Sequence, residues 1–172
     1  GMPNFVWDAT IDLAPVPLVS VLVRDSYIRG RASMRARAMA VRTVVDLSNS
    51  AALDAGALMR YLGEAAWIPS RLLPGNGLTW QAVDDHVAIA SLVDDDTNVS
   101  LRFTFNDDGD ITQIDTPERF REVNGRFVQT PWRVRALGYE VVNGIRVMSP
   151  AVAEWMLPEG PQADRKSTRL NS

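Results

Sequence analysis

The chain has no cysteine, a single histidine and a single lysine. Without cysteine there is no disulfide, no thiolate nucleophile and no Cys-ligated zinc. With only His86, a His-rich metal site is excluded, and a Ser-His-Asp arrangement would depend on that one ring. No G-x-S-x-G elbow, Ser-x-x-Lys pair or Gly-rich phosphate loop occurs. No apolar run approaches the roughly 20 residues of a membrane helix. The charge balance is acidic, net −3, which makes nucleic acid a poor partner. These absences leave no catalytic residue, metal or cofactor to assign.

The scarcity of lysine also marks a seam. Of the 18 basic residues, 17 are arginine, and the exception is Lys166. It lies in Asp164-Arg165-Lys166-Ser167-Thr168-Arg169-Leu170-Asn171-Ser172, which the opening of a common sequencing-library adapter encodes at all nine positions. Residues 164–172 are therefore expected to be a non-native tail, and 1–163 a single domain truncated at its C-terminus. Gly1 before Met2 leaves the true start open, so compartment is unread. Setting the tail aside leaves 15 basic and 20 acidic side chains, net −5. At 46% hydrophobic and 23% charged, the chain has a globular composition.

What is present is mostly strand. Phe5, Trp7, Ala9, Ile11 and Leu13 alternate with Val6, Asp8, Thr10 and Asp12, a half-buried strand ended by Ala14-Pro15-Val16-Pro17. Residues 19–47 read as one or two long strands, with a bend at Gly30 or near Met39–Arg42. Ile28, Gly30, Ala32 and Met34 are expected on one face, and Tyr27, Arg29, Arg31, Ser33, Arg35 and Arg37 on the other. Further strands are expected near 79–83, 87–93, 98–105, 110–115, 120–123, 126–129, 134–142 and 145–157. Asp108-Gly109, Asn124-Gly125 and Asn143-Gly144 punctuate them as two-residue hairpin signals. Asp94–Asn98 reads as a longer polar turn, and Pro150 as an edge, bulge or break.

One main helix is expected near 50–67. Asn49 or Ser50 can cap it, Asp54 meets the dipole in its first turn, and Leu58, Tyr61, Leu62 and Ala65 form its apolar face. Pro69 stops it or opens a short second turn through Ser70–Leu73. The class is thus α+β, a curved antiparallel sheet or half-barrel with the helix on its concave face. Strands 87–93 and 151–157 are apolar on both faces and need two covers. A helix of this length cannot supply both. Either the sheet curls onto itself, or further segments cover it, or apolar surface lines a cavity.

Candidate chemistry is thin. His86 in Asp84-Asp85-His86 could be a base oriented by a carboxylate, but a polar hairpin turn is the plainer reading. Asn106–Asp110 lacks the acids of a calcium loop and reads as a hairpin. The arginine stripe of 29, 31, 35 and 37 could meet anionic head groups or simply pair with acids such as Asp8 and Asp12. Arg60 and Glu64 stand at i, i+4 and can pair on the helix surface. Glu154, between apolar neighbours, needs a partner if buried, and an arginine ion pair is the simplest. Trp67, Trp80, Trp132 and Trp155, with Tyr61, suit either a core or the walls of an apolar pocket.

The segment Ala57-Leu58-Met59-Arg60-Tyr61-Leu62-Gly63-Glu64-Ala65-Ala66-Trp67-Ile68-Pro69-Ser70-Arg71-Leu72-Leu73-Pro74 resembles the signature of a bacterial family defined as a domain of unknown function. Phe5–Ala9, Gly30–Met34, Pro131-Trp132, Tyr139–Gly144 and Glu154–Gly160 extend the resemblance over nearly all of 5–160. It implies a shape similar to the LolA-like lipoprotein-carrier half-barrel, in which a curved sheet wraps a helical plug and can hold acyl chains. Arg60, Tyr61, Glu64, Trp67 and Pro69, with Glu154 in a supporting stretch, match the family's segments without an implied role. The function expected from apolar strands and few covering helices is a non-enzymatic module that binds a lipid or other apolar small molecule. The alternatives are a structural or interaction protein whose apolar sheet docks a partner, and an enzyme using His86 or a buried carboxylate pair.

Overall fold

The computed structural model describes residues 3–12, 20–38, 42–48 and 50–167. Thirteen strands and one helix are assigned among them: β1 (Phe5–Asp12), β2 (Ser20–Ile28), β3 (Arg31–Ala38), β4 (Arg42–Ser48), α1 (Ala51–Glu64), β5 (Leu78–Ala82), β6 (Val87–Asp94), β7 (Thr97–Phe105), β8 (Ile111–Val123), β9 (Arg126–Ala136), β10 (Tyr139–Val142), β11 (Ile145–Met148), β12 (Ala151–Leu157) and β13 (Gly160–Ser167). Short 3₁₀ turns at Ala65–Trp67 and Pro69–Leu72 follow α1. Pairing is antiparallel throughout. It gives a four-stranded sheet β1-β2-β3-β4, a seven-stranded sheet β13-β12-β9-β8-β7-β6-β5 and the separate hairpin β10-β11. Neither sheet closes on itself, so the α+β class with one main helix holds as read from sequence.

The turns explain most of this topology. Asn124-Gly125 and Asn143-Gly144 both carry positive φ at each residue, the type I′ geometry whose twist suits a hairpin. Arg29-Gly30 does the same, with φ of 51° and 74°. The expected bend at Gly30 is thus a full reversal, and 19–47 holds three strands rather than one or two. The reversal also corrects the faces: Tyr27 pairs with Ala32, and both are buried. Arginine is an unusual residue for left-handed backbone, so only the glycine of the dipeptide hinted at a turn. Asp94 pairs directly with Thr97, which makes the expected longer turn a two-residue one. The proline stretch 14–17, Leu13, Asn49 and the suggested bend at 39–41 lie outside the described residues, as do the side chains of Trp7, Ala9 and Ile11.

One expected strand pair is a single strand: residues 110–115 and 120–123 join as β8. The expected 126–129 runs on through 136 as β9, and the expected 134–142 is divided between the end of β9 and the separate β10. Thr116 pairs with Trp132 and Arg119 with Thr130, so Pro117 and Glu118 together oppose Pro131. Two residues against one is a β-bulge, which absorbs prolines that cannot donate to the ladder and bends the strand. Conversely, the expected 145–157 strand breaks at Ser149-Pro150 into β11 and β12.

The helix lies between the sheets and touches β7 and β8 on one side, β2 and β3 on the other. Fourteen residues make it about 21 Å long. Leu58 and Leu62 share one buried cluster with Leu101, Phe103 and Ile114 of the large sheet and Tyr27 and Ala32 of the small one. The small sheet thus adds cover that the lone helix could not provide. Ser50 is the N-cap residue but makes no side-chain cap bond. Asp54 is turned away instead: its buried carboxylate accepts the Ala32 N–H at 2.6 Å and an Arg31 N–H at 3.3 Å. Helix and small sheet are therefore joined by charge-assisted hydrogen bonds as well as by apolar contact.

Candidate ligand-binding cleft

A cleft of about 240 Å³ opens where the end of α1 and its 3₁₀ turns face β8, β9 and β12. Its apolar walls are Trp67, Ile68, Trp132, Val134, Ala151 and Ala153, and its polar groups are Arg60, Glu64, Arg71, Arg119 and Asp164. Gly63 forms part of the floor, and a Cβ there would stand 3.4 Å from the Trp132 ring. Ala151 and Ala153, alternate residues of β12, point to the same side and leave the space that larger side chains would fill.

The bulge in β8 builds the far end of the cleft. Before it, Ile114 and Thr116 are the buried residues. The extra residue shifts the alternation by one, so Arg119 follows Thr116 onto the concave face. Its guanidinium lies 4.5 Å from the centre of the Trp132 ring and 5.1 Å from that of Trp155, a cation between two π faces. Trp132 and Trp155 are directly paired across β9 and β12. The Arg119 Nη1 and the Trp132 Nε1 both donate to one oxygen, Oδ2 of Asp164, at 2.9 and 3.0 Å. Arg119 is the principal residue that sequence reasoning missed. The signal that could have found it is Pro117 two residues before it, facing Pro131 on the neighbouring strand.

At the near end, Arg60 does not sit on an open helix surface. It is buried, donating to Asp25 of β2 at 2.5 Å and to Glu64 at 2.8 Å, with its guanidinium 5.5 Å from the centre of the Phe5 ring. The i, i+4 pair is therefore real, and it continues inward as a bridge to the small sheet. Arg71 lies over Tyr61 at 5.3 Å.

The structure thus brings Arg60, Glu64, Trp67 and Trp132 together at the cleft, with Trp155 beside it. It places the remaining candidates elsewhere. Tyr61 packs against the core, and Pro69 opens the second 3₁₀ turn. Trp80 meets Phe103 edge-on at 5.0 Å and donates to the Leu72 carbonyl at 2.9 Å. Glu154 alternates with the cleft-lining Ala153 and so faces away. There Arg102, Asp115, Arg133 and Glu154 stand opposite one another across β7, β8, β9 and β12, and Arg133 donates to Glu154 at 2.9 Å. This ladder of alternating charge gives Glu154 a structural partner. His86 sits in the exposed turn between β5 and β6, 3.5 Å from Asp107. Arg31 reaches Asp54, and Asp8 pairs with Arg24 at 2.7 Å, which holds the Asp8 carboxyl below its ordinary range.

None of the side chains lining the cleft is a serine, threonine, histidine or lysine, and both of its carboxylates are held by arginines. Among the described residues, no group of three or more His, Cys, Asp or Glu is placed to hold a metal ion, and no helix is long and apolar enough to cross a membrane. A family model described as a family of unknown function (DUF6544) matches residues 1–163. No curated protein and no solved structure matches the chain.

Proposed function

The chain belongs to the family of unknown function DUF6544, and from its cleft we propose that it is a binding module for a small apolar or amphipathic molecule. The observation that carries the reading is the tryptophan-walled cleft kept open by small residues, Gly63, Ala151 and Ala153. Large rigid rings supply contact area at low entropic cost, and the few polar groups sit at its two ends, where they can orient a ligand. The likeness to lipoprotein carriers belongs to the same proposal, since a helix on the concave face of an open antiparallel sheet is the arrangement such carriers use. The volume limits the occupant. At 240 Å³ it falls below the roughly 300–1,000 Å³ of drug-sized sites, so one short acyl chain or fused ring suits it better than a multi-chain lipid.

The test uses N-phenyl-1-naphthylamine, a neutral dye that fluoresces in apolar surroundings. The wild-type chain is expected to bind it saturably and Ala153→Leu, which fills the cleft, to bind it at least tenfold more weakly. Equal binding by the two would refute the assignment of the cleft.

A second reading, docking of a partner, is favoured by the β10–β11 hairpin. Val141 and Ile145 there are 69% and 51% exposed and Leu137 just before it 57%, a run of apolar surface of the kind that marks contact sites.

A further inference from the structure

The cleft's far end has the geometry of a carboxylate site, and the chain itself fills it. Two donors of different kinds, the Arg119 guanidinium and the Trp132 indole N–H, converge on one carboxylate oxygen of Asp164. A single oxygen taking two hydrogen bonds at about 3 Å, one of them from a cation, is how an anionic head group is held. The cation is pre-set. Trp132 and Trp155 pack the guanidinium between them, leaving its side chain 13% exposed. The apolar wall of Trp132, Val134, Ala151 and Ala153 continues directly from it.

The group that occupies this cradle comes from the edge of the sheet. Asp164 lies in β13, the edge strand of the large sheet. The register shifts there, with Glu154 opposite Ala163 and Ala153 opposite Arg165, so Asp164 is the extra residue of a bulge. Arg119, Trp132 and Trp155 fall within the stretch that matches the family, and Asp164 is the first residue beyond it.

We propose that Arg119 and Trp132 form a carboxylate-binding cradle, that the Asp164 carboxylate stands in for the head group of a ligand, and that the ligand class is a medium-chain amphiphilic carboxylate with its apolar part in the cleft. This inference rests on the cleft being the ligand site. A ligand carboxylate competes with Asp164 for the same two donors, so the intact chain binds it weakly.

The experiment measures displacement of N-phenyl-1-naphthylamine by decanoate and by 1-decanol, which differ in charge but little in size. It uses the full chain as wild type, Asp164→Ala and Asp164→Ala/Arg119→Met. The readout is the ratio of decanoate to decanol affinity. Removing Asp164 is expected to raise the ratio at least tenfold, and adding Arg119→Met to abolish that gain. Asp164→Asn and Arg119→Lys serve as conservative substitutes where packing suffers; the asparagine is expected to raise the ratio and the lysine to retain part of it. A ratio unchanged across these proteins overturns the cradle while leaving the cleft in place. Dye that none of them binds overturns the cleft, and the cradle with it.

Discussion

Replacing Arg60 by alanine is expected to be among the most damaging single changes at the cleft. Arg60 and Asp25 form an ion pair whose side chains are 10% and 9% exposed. Removing the guanidinium takes the Arg60 cation from the buried Asp25 carboxylate, a loss of up to about 3–5 kcal/mol. The pair with Glu64, whose side chain is 45% exposed, adds only about 0.3–0.5 kcal/mol. The Phe5 ring contact adds roughly another 0.5–1 kcal/mol. For a chain of this size the sum, about 4–6.5 kcal/mol, corresponds to a fall in Tm of roughly 8–26 °C. The penalty comes from keeping the Asp25 carboxylate buried with less compensation more than from the lost attraction. Removing both charges, as Asp25→Leu/Arg60→Met, should therefore recover most of the loss. Urea unfolding followed by tryptophan fluorescence on wild type, both single variants and the double variant gives the coupling directly. A loss below about 1 kcal/mol in Arg60→Ala, or a double variant as unstable as the summed singles, would refute the argument.

Asp54→Ala should cost about 1.5–3 kcal/mol in the same assay, because the buried Ala32 N–H loses a charged acceptor; a change under 0.5 would show that water replaces it. Gly144→Ala should cost about 1–2 kcal/mol for its left-handed backbone alone, since its φ is 80° and nothing stands near it. Gly77→Ala should cost clearly more, because at φ 85° its Cβ would also collide with the Val93 carbonyl; equal losses would contradict this. The Tyr27 hydroxyl is held above the ordinary phenol range, first by burial and then by Asp94, so the folded state keeps a proton that the unfolded chain releases near pH 10. Stability should therefore fall as pH rises past about 10, and Tyr27→Phe should flatten that slope; an unchanged slope would assign it to other groups. At the hairpin, Val141→Glu/Ile145→Glu should leave stability within about 0.5 kcal/mol and weaken any self-association seen by sedimentation if that surface docks a second copy.

Much of the architecture was legible locally. The Asn-Gly dipeptides at 124–125 and 143–144 need only their own backbone to declare a hairpin, and both fold as such. The helix face at Leu58 and Leu62 follows from spacing, and Pro69 opens a 3₁₀ turn as its locked φ allows. The failures share one cause. Arg29-Gly30 reverses the chain although arginine rarely adopts positive φ, so the pairing of β2 with β3 must hold the turn, not the turn the pairing. The strands expected near 110–115 and 120–123 leave out 116–119, where Pro117 cannot donate to a ladder. The ladder passes Pro117 by a bulge set opposite Pro131 of β9.

The candidate site divides the same way. Trp67, Glu64 and Arg60 fall within one helical segment, so their approach to a common cleft is set by local spacing. Trp132 and Trp155 are far apart in the chain and meet through the register of β9 and β12. Arg119 reaches them only because one extra residue in β8 moves it to the concave face. Sequence alone settled the strand-rich class, the single main helix and the absence of thiol and multi-histidine chemistry, since each depends on residue type or on short-range periodicity. Tertiary structure alone decided that a second sheet backs the helix, that Arg60 is a buried bridge and that Glu154 faces away from the cleft. Those outcomes depend on which strands pair and in what register, and pairing between distant segments is decided by packing over the whole fold.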